Sequence, residues 1–167
     1  MTSQLFTPEH LAKFSQVKLL ALDVDGVLTD GGLYYTDSGA EFKKFNVKDG
    51  LGIKLLSQKA IEVAIITSSH CQSTLHRADR LGIRYVFIGV EDKLTQLKLL
   101  CEELGIELAD VAYIGDDLVD LPVMRSVGCP IAVADAMPQN LEAAIYVTQK
   151  RGGDGAVREI CDLLISC

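Results

Sequence analysis

Short apolar runs that stop abruptly on a polar or glycine residue recur along the chain. Residues 17–22 stop at Asp23, residues 61–66 at Thr67, residues 85–88 at Gly89, and residues 111–114 at Gly115-Asp116. Ile131-Ala132-Val133 and Ile145-Tyr146-Val147 are shorter versions. Runs without polar alternation suit strands covered on both faces, as in a parallel sheet. Between the runs the period changes. Leu94, Leu97, Leu100, Cys101 and Leu104 fall at helical spacing, and Gly105 follows as a terminator. Further helices are predicted over 48–59, 70–81 and 155–166, from an Asp116 or Asp117 cap through Met124, and from Pro138 to near Ala144. A short one starts at Thr7-Pro8 and ends near Phe14.

Strands alternating with helices predict an α/β fold, a doubly wound, Rossmann-like parallel sheet with right-handed crossovers. Residues 31–47 break the alternation. Leu33-Tyr34-Tyr35-Thr36 and Glu41-Phe42-Lys43-Lys44-Phe45 flank Asp37-Ser38-Gly39, a turn signal, so a β-hairpin is expected to project from the sheet. Residues 1–167 are expected to form a single domain, with a tail at about 150–167 that contains the Gly-rich stretch Arg151-Gly152-Gly153-Asp154-Gly155.

Composition narrows the class. Lys and Arg number 16 against 23 Asp and Glu, a net charge of −7, which argues against nucleic acid and anionic membranes as partners. No run reaches the ~20 apolar residues of a membrane span, and the first thirty residues carry no secretory pattern. The five cysteines are odd in number and never spaced C-x-x-C, so the expected compartment is the reducing cytoplasm. His10, His70 and His76 form no metal-ligand pair.

Ligands of open α/β sheets sit at the carboxyl ends of the strands. There the sequence places Asp23-Val24-Asp25-Gly26, then Thr67-Ser68-Ser69, then Lys93 a few residues beyond the third run, and finally Gly115-Asp116-Asp117-Leu118-Val119-Asp120. Asp23 and Asp25, two apart in extended chain, are placed to face one pocket. Asp116 and Asp120 are placed to face it across a strand-to-helix turn. Like charges 4 Å apart repel by about 4 kcal/mol at an effective dielectric of 20. A divalent cation removes that cost, and all-oxygen sites suit magnesium (Mg2+). With a carboxylate nucleophile, a second carboxyl as acid and base, and hydroxyl, amide and ammonium donors, the set suits phosphoryl transfer.

D-V-D-G-V-L-T-D at 23–30, Thr67, Lys93 and G-D-D-L-V-D at 115–120 resemble the four motifs of the haloacid dehalogenase superfamily of phosphotransferases. The resemblance implies that fold, with Asp23 as nucleophile and Asp25 as general acid and base. It implies magnesium on the Asp23 carboxylate, the Asp25 backbone carbonyl and Asp116. Thr67, Ser68 and Lys93 would hold the phosphoryl group, and Asp117 and Asp120 would lie behind the ligands or reach the ion through water. The segments after Asp23 and after Thr67 are too short for a cap domain, since folded domains start near ~50 residues. Within the family the chain looks most like capless phosphatases of an eight-carbon sugar-acid phosphate. Those are tetramers with sites completed by neighbouring subunits, and the same is expected here.

Two positions depart from those relatives. Ser68-Ser69-His70 stands where Gly-Arg usually follows the second motif, and Asp154 lies between glycines where a basic or neutral residue is usual. The missing arginine is a partner for a substrate carboxylate; Arg77, Arg84 and Arg151 are the available replacements. Three other readings stand beside this one. They are a phosphatase of a nine-carbon sugar-acid phosphate, a phospho-accepting receiver domain, and an idle sugar-binding domain. In a receiver the acid pair ends the first strand and the lysine comes last, whereas here a second acid pair follows Lys93.

Overall fold

The computed structural model describes residues 7–167; the first six, counted above in the expected domain, lie outside the described residues. In chain order the elements are α1 (Pro8–Phe14), β1 (Leu19–Leu22), β2 (Tyr34–Tyr35), β3 (Glu41–Phe42), α2 (Val47–Leu56), β4 (Glu62–Ile66), α3 (Gln72–Leu81), β5 (Tyr85–Phe87), α4 (Lys93–Leu104), β6 (Val111–Gly115), α5 (Leu121–Met124), β7 (Cys129–Ala132), α6 (Pro138–Ala143), β8 (Tyr146–Val147) and α7 (Ala156–Ser166).

Six strands form one parallel sheet in the order β5-β4-β1-β6-β7-β8. The doubly wound α/β expectation holds. Leu19–Leu22 pairs with Glu62–Ile65 on one side and with residues 111–114 on the other. All four β1 residues are fully buried, which is why that segment is continuously apolar. From β1 the chain winds outward through β4 and β5, then returns to the other side of β1 for β6, β7 and β8. The strand order therefore reverses at β1, and the crevice at its carboxyl end is where such sheets bind ligands.

The hairpin is present as β2 and β3, paired antiparallel through Tyr34↔Phe42 and Tyr35↔Glu41. Its strands are two residues each, shorter than expected, and the side chains of the lysines that follow β3 engage Asp25 and Asp30. The segment predicted as one helix through Met124 divides into a 3-10 turn, Leu118–Asp120, and the single turn α5. Pro122 sits in the first turn of α5, where its missing N–H costs no bond.

The tail is tied to the rest by an unusual cap. Gly155 precedes α7 at φ +98 and offers no side chain to its first turn. Asp49, from α2, accepts instead from the Arg158 amide at 2.7 Å. Gly52 lets the two helices approach, since a Cβ there would stand 2.9 Å from Arg158 Cδ.

Candidate active site

β1 delivers Asp23 at its carboxyl end, with the Asp23 amide donating to the Ile114 carbonyl. The chain then turns back on itself. The amides of Val27, Leu28 and Thr29 all donate to the Val24 carbonyl, and the buried Thr29 hydroxyl donates to it as well. Gly26 has φ +79, and a Cβ there would stand 2.0 Å from Asp116 Oδ2. Only glycine allows this backbone and lets the end of β6 come so close. The tail presses on the same loop: Gly153 N–H donates to the Val27 carbonyl at 3.0 Å, and a Cβ on Gly152 would fall 1.7 Å from the Gly26 carbonyl oxygen.

Asp23, Asp116 and Asp120 converge, each offering a carboxylate oxygen, and those oxygens lie within 4.8 Å of one another. Lys93, the first residue of α4, is buried among them, 2.9 Å from Asp23 Oδ2 and 2.8 Å from Asp120 Oδ1. Tyr113, inside β6, donates its hydroxyl to Asp120 Oδ1 at 2.6 Å. The Asp116 and Asp117 amides donate to the other Asp120 oxygen. Asp120 is thus saturated with donors, whereas Asp116 Oδ1 is buried without a hydrogen-bond partner among the described residues.

Burial pushes the Asp116 carboxyl up to about 8, with the charges of Asp23 and Asp120 adding to the effect. Asp23 is pushed up to about 6, again chiefly by burial and then by Asp120, with Lys93 opposing. Burial alone would lower Lys93, yet Asp23 and Asp120 more than reverse this and raise it. The cluster carries more negative charge than one ammonium balances. An orphaned buried carboxylate oxygen within an all-oxygen donor set fits a hard divalent cation such as magnesium.

The other expected site residues fall as follows. Thr67 follows β4 at its carboxyl end and is buried; its hydroxyl accepts from the Ser69 amide at 3.2 Å. Ser68 is exposed on the same loop. Asp25 follows Asp23 by two, but its carboxylate lies apart from the three-carboxylate cluster and accepts from Lys43 at 2.5 Å. Asp117 is exposed and accepts from the Leu118 amide, capping the 3-10 turn. Of the replacement arginines, Arg77 donates to the Asn46 carbonyl and lies over the Phe45 ring. Arg84 precedes β5, at the amino end of the sheet and therefore away from the crevice. Arg151 pairs with Asp135 beside the tail glycines. The His70 ring packs on Gly89, where a Cβ would stand 2.3 Å from Cε1.

Sequence reasoning missed Lys43 and Tyr113. Lys43 looked like one of two adjacent hairpin lysines. Tyr113 is a polar tip inside an otherwise apolar β6 run, and a buried phenol needs an acceptor, which is the signal that was available.

A family model for haloacid dehalogenase-like hydrolases matches residues 86–160. The fold and the four converging strand ends agree with that match, and the chain belongs to the haloacid dehalogenase-like hydrolases. It is 49% identical over 155 residues to the 3-deoxy-D-manno-octulosonate 8-phosphate phosphatase KdsC of Escherichia coli K12, covering 93% of this chain and 82% of that one. The crystal structure of the corresponding Yersinia pestis phosphatase superposes with a TM-score of 0.93 at 46% identity, over 95% of this chain and 86% of that one. The Moraxella catarrhalis phosphatase, solved with magnesium, phosphate and KDO, superposes with a TM-score of 0.91 at 46% identity, over 93% of this chain and 90% of that one.

Proposed function

We propose that the chain is a magnesium-dependent phosphatase of 3-deoxy-D-manno-octulosonate 8-phosphate, working through an aspartyl-phosphate. The observation that carries the reaction is the junction of Asp23, Lys93, Asp116 and Asp120 at one strand edge, with a buried Asp116 oxygen left unpaired. The names of the similar phosphatases support the substrate. Magnesium would be held by the carboxylates of Asp23 and Asp116 and the Asp25 carbonyl; when bound, it offsets the repulsion between these acids and the substrate phosphate.

Asp23 attacks phosphorus, forming a P–O bond to its carboxylate as the bond to the sugar oxygen breaks. Asp25 gives that oxygen a proton, then takes one from the water that attacks the acyl phosphate, which releases phosphate and restores Asp23. Thr67 and Ser68 donate to the phosphoryl oxygens, and Lys93 adds positive charge as negative charge spreads over them. Asp120 keeps Lys93 placed, and Asp117 supports the turn that carries Asp120.

The active unit in this reading is a cytoplasmic homotetramer of single-domain chains. The hairpin exposes Leu33, Tyr35 and Phe42 at 68%, 58% and 47%, apolar surface suited to a neighbouring subunit. All five cysteines are free, and among the described residues no helix is long and apolar enough to cross a membrane.

A phosphate-release screen of sugar-acid phosphates, with and without magnesium, tests the proposal. Magnesium-dependent release from the eight-carbon compound above all others is expected. Comparable turnover of a nine-carbon analogue overturns the substrate, and no release from any overturns the reaction.

A further inference from the structure

We infer that Lys43, on the hairpin, is a positioning residue for the Asp25 carboxyl group, an inference that rests on the phosphatase reading above. Two adjacent hairpin lysines have opposite fates. Lys44 has a side chain 62% exposed and pairs with Asp30, as surface lysines do. The Lys43 side chain is 3% exposed although it follows a projecting strand. It donates to Asp25 Oδ1 at 2.5 Å and to Glu41 Oε1 at 3.0 Å. Glu41 and Lys43 share a face because they are two apart in extended chain. Phe42, between them, turns to the other face, where its ring centroid lies 5.6 Å from that of Tyr34.

Asp25 needs such an anchor. Its side chain is 39% exposed, and among the described residues Lys43 is its one hydrogen-bond partner. Asp23, by contrast, is held by Lys93 and by the Val24 amide. A half-exposed aspartate without a partner samples several rotamers, and a misplacement of about 1 Å costs a reacting group on the order of a hundredfold in rate. Burying an ammonium is unfavourable unless it is paired, so the carboxylates of Asp25 and Glu41 hold Lys43 inward as firmly as it holds Asp25. The hairpin is itself tied to the loop after Thr67, where Cys71 Sγ lies 3.6 Å from the Glu41 carbonyl oxygen. Seating the hairpin therefore places the proton donor.

Steady-state and rapid-quench kinetics on Lys43→Met, Lys43→Arg and Asp25→Asn, with a sugar-acid phosphate and with p-nitrophenyl phosphate, test the inference. Lys43→Met is expected to lower kcat on the sugar phosphate by about ten- to a hundredfold with KM changed by less than about threefold. The burst of p-nitrophenolate should stay near wild type, because that group leaves without a proton. Lys43→Arg should recover part of the loss. A wild-type kcat on the sugar phosphate in Lys43→Met, or equal loss of the first step with both substrates, overturns the inference. Should Lys43→Met not fold, Glu41→Gln keeps the lysine and removes one anchor; a smaller loss with the same dependence on leaving group supports the inference, and its absence opposes it. Full activity in Asp25→Asn would sink the acid role of Asp25 itself, whereas an inactive Asp25→Asn beside an unaffected Lys43→Met sinks only the role of Lys43.

Discussion

At the scale of the residue, chemistry and stability pull in opposite directions. Asp23 is buried and Asp116 half-buried near it, and both are pushed above the ordinary 3.8. Asp23→Asn removes one of the mutually repelling charges, so it is expected to abolish phosphate release while the melting temperature holds or rises. Phosphate assay and calorimetry on the same sample check this. The pH dependence has a definite sign. From about 4 upward the folded, metal-free chain holds protons that the unfolded chain has released, on Asp23 up to about 6 and on Asp116 up to about 8. The unfolded state then binds fewer protons, so metal-free stability falls as pH rises through that window. A cation needs bare carboxylates, so the stabilisation by magnesium should be greater near pH 8 than near pH 6. Thermal melts with and without the metal at both values report it, and an equal gain at both would contradict the scheme. The meeting of Asp23, Lys93 and Asp116 is legible in the sequence because each ends or follows an apolar run. Lys43 was not, since a lysine on a charged hairpin reads as solvated until the fold brings Asp25, 18 residues away in sequence, against it.

At the scale of the element, local patterns found the buried strands and misjudged segments whose bonds are tertiary. β1 is apolar throughout, and β6 is apolar except for the Tyr113 hydroxyl, because helices cover both faces of a parallel sheet, and their polar ends follow from the crevice. The hairpin has alternating, strand-forming residues, but its ladder is only two residue pairs long, and its lysines are tied to Asp25 and Asp30 through their side chains. The helix after Asp117 breaks into a 3-10 turn because Asp120 is drawn inward to Lys93 and Tyr113. No short-range signal marks Asp49 as the cap of α7, which lies far along the chain. Asp49→Ala should cost about 0.5–2 kcal/mol, the usual range for losing an N-cap acceptor, whereas Asp49→Asn keeps an acceptor and should cost less. Urea unfolding of the two variants compares them.

At the scale of the whole molecule, the reversal of strand order at β1 gathers Asp23, Lys93, Asp116 and Asp120 from three separate segments. Between Asp23 and Thr67 stand the hairpin, α2, a 3-10 turn at Ser57–Lys59 and β4. The apolar side chains at the hairpin are the surface on which the proposed tetramer depends. Leu33→Asp, at a position 68% exposed, should leave the subunit folded, reduce the sedimentation coefficient and lower activity at equal protein concentration. An unchanged assembly with full activity would remove the tetramer from the scheme.

The contact between Gly152 and the Gly26 carbonyl has a consequence in time. The ribosome makes the stretch that bears Asp23 and Asp25 early, but the glycines that brace it emerge near the end of synthesis. A nascent polypeptide stalled before residue 152 has the Asp23 loop without the glycines behind it, so in the proposed scheme full activity is expected to wait until α7 can fold back against α2.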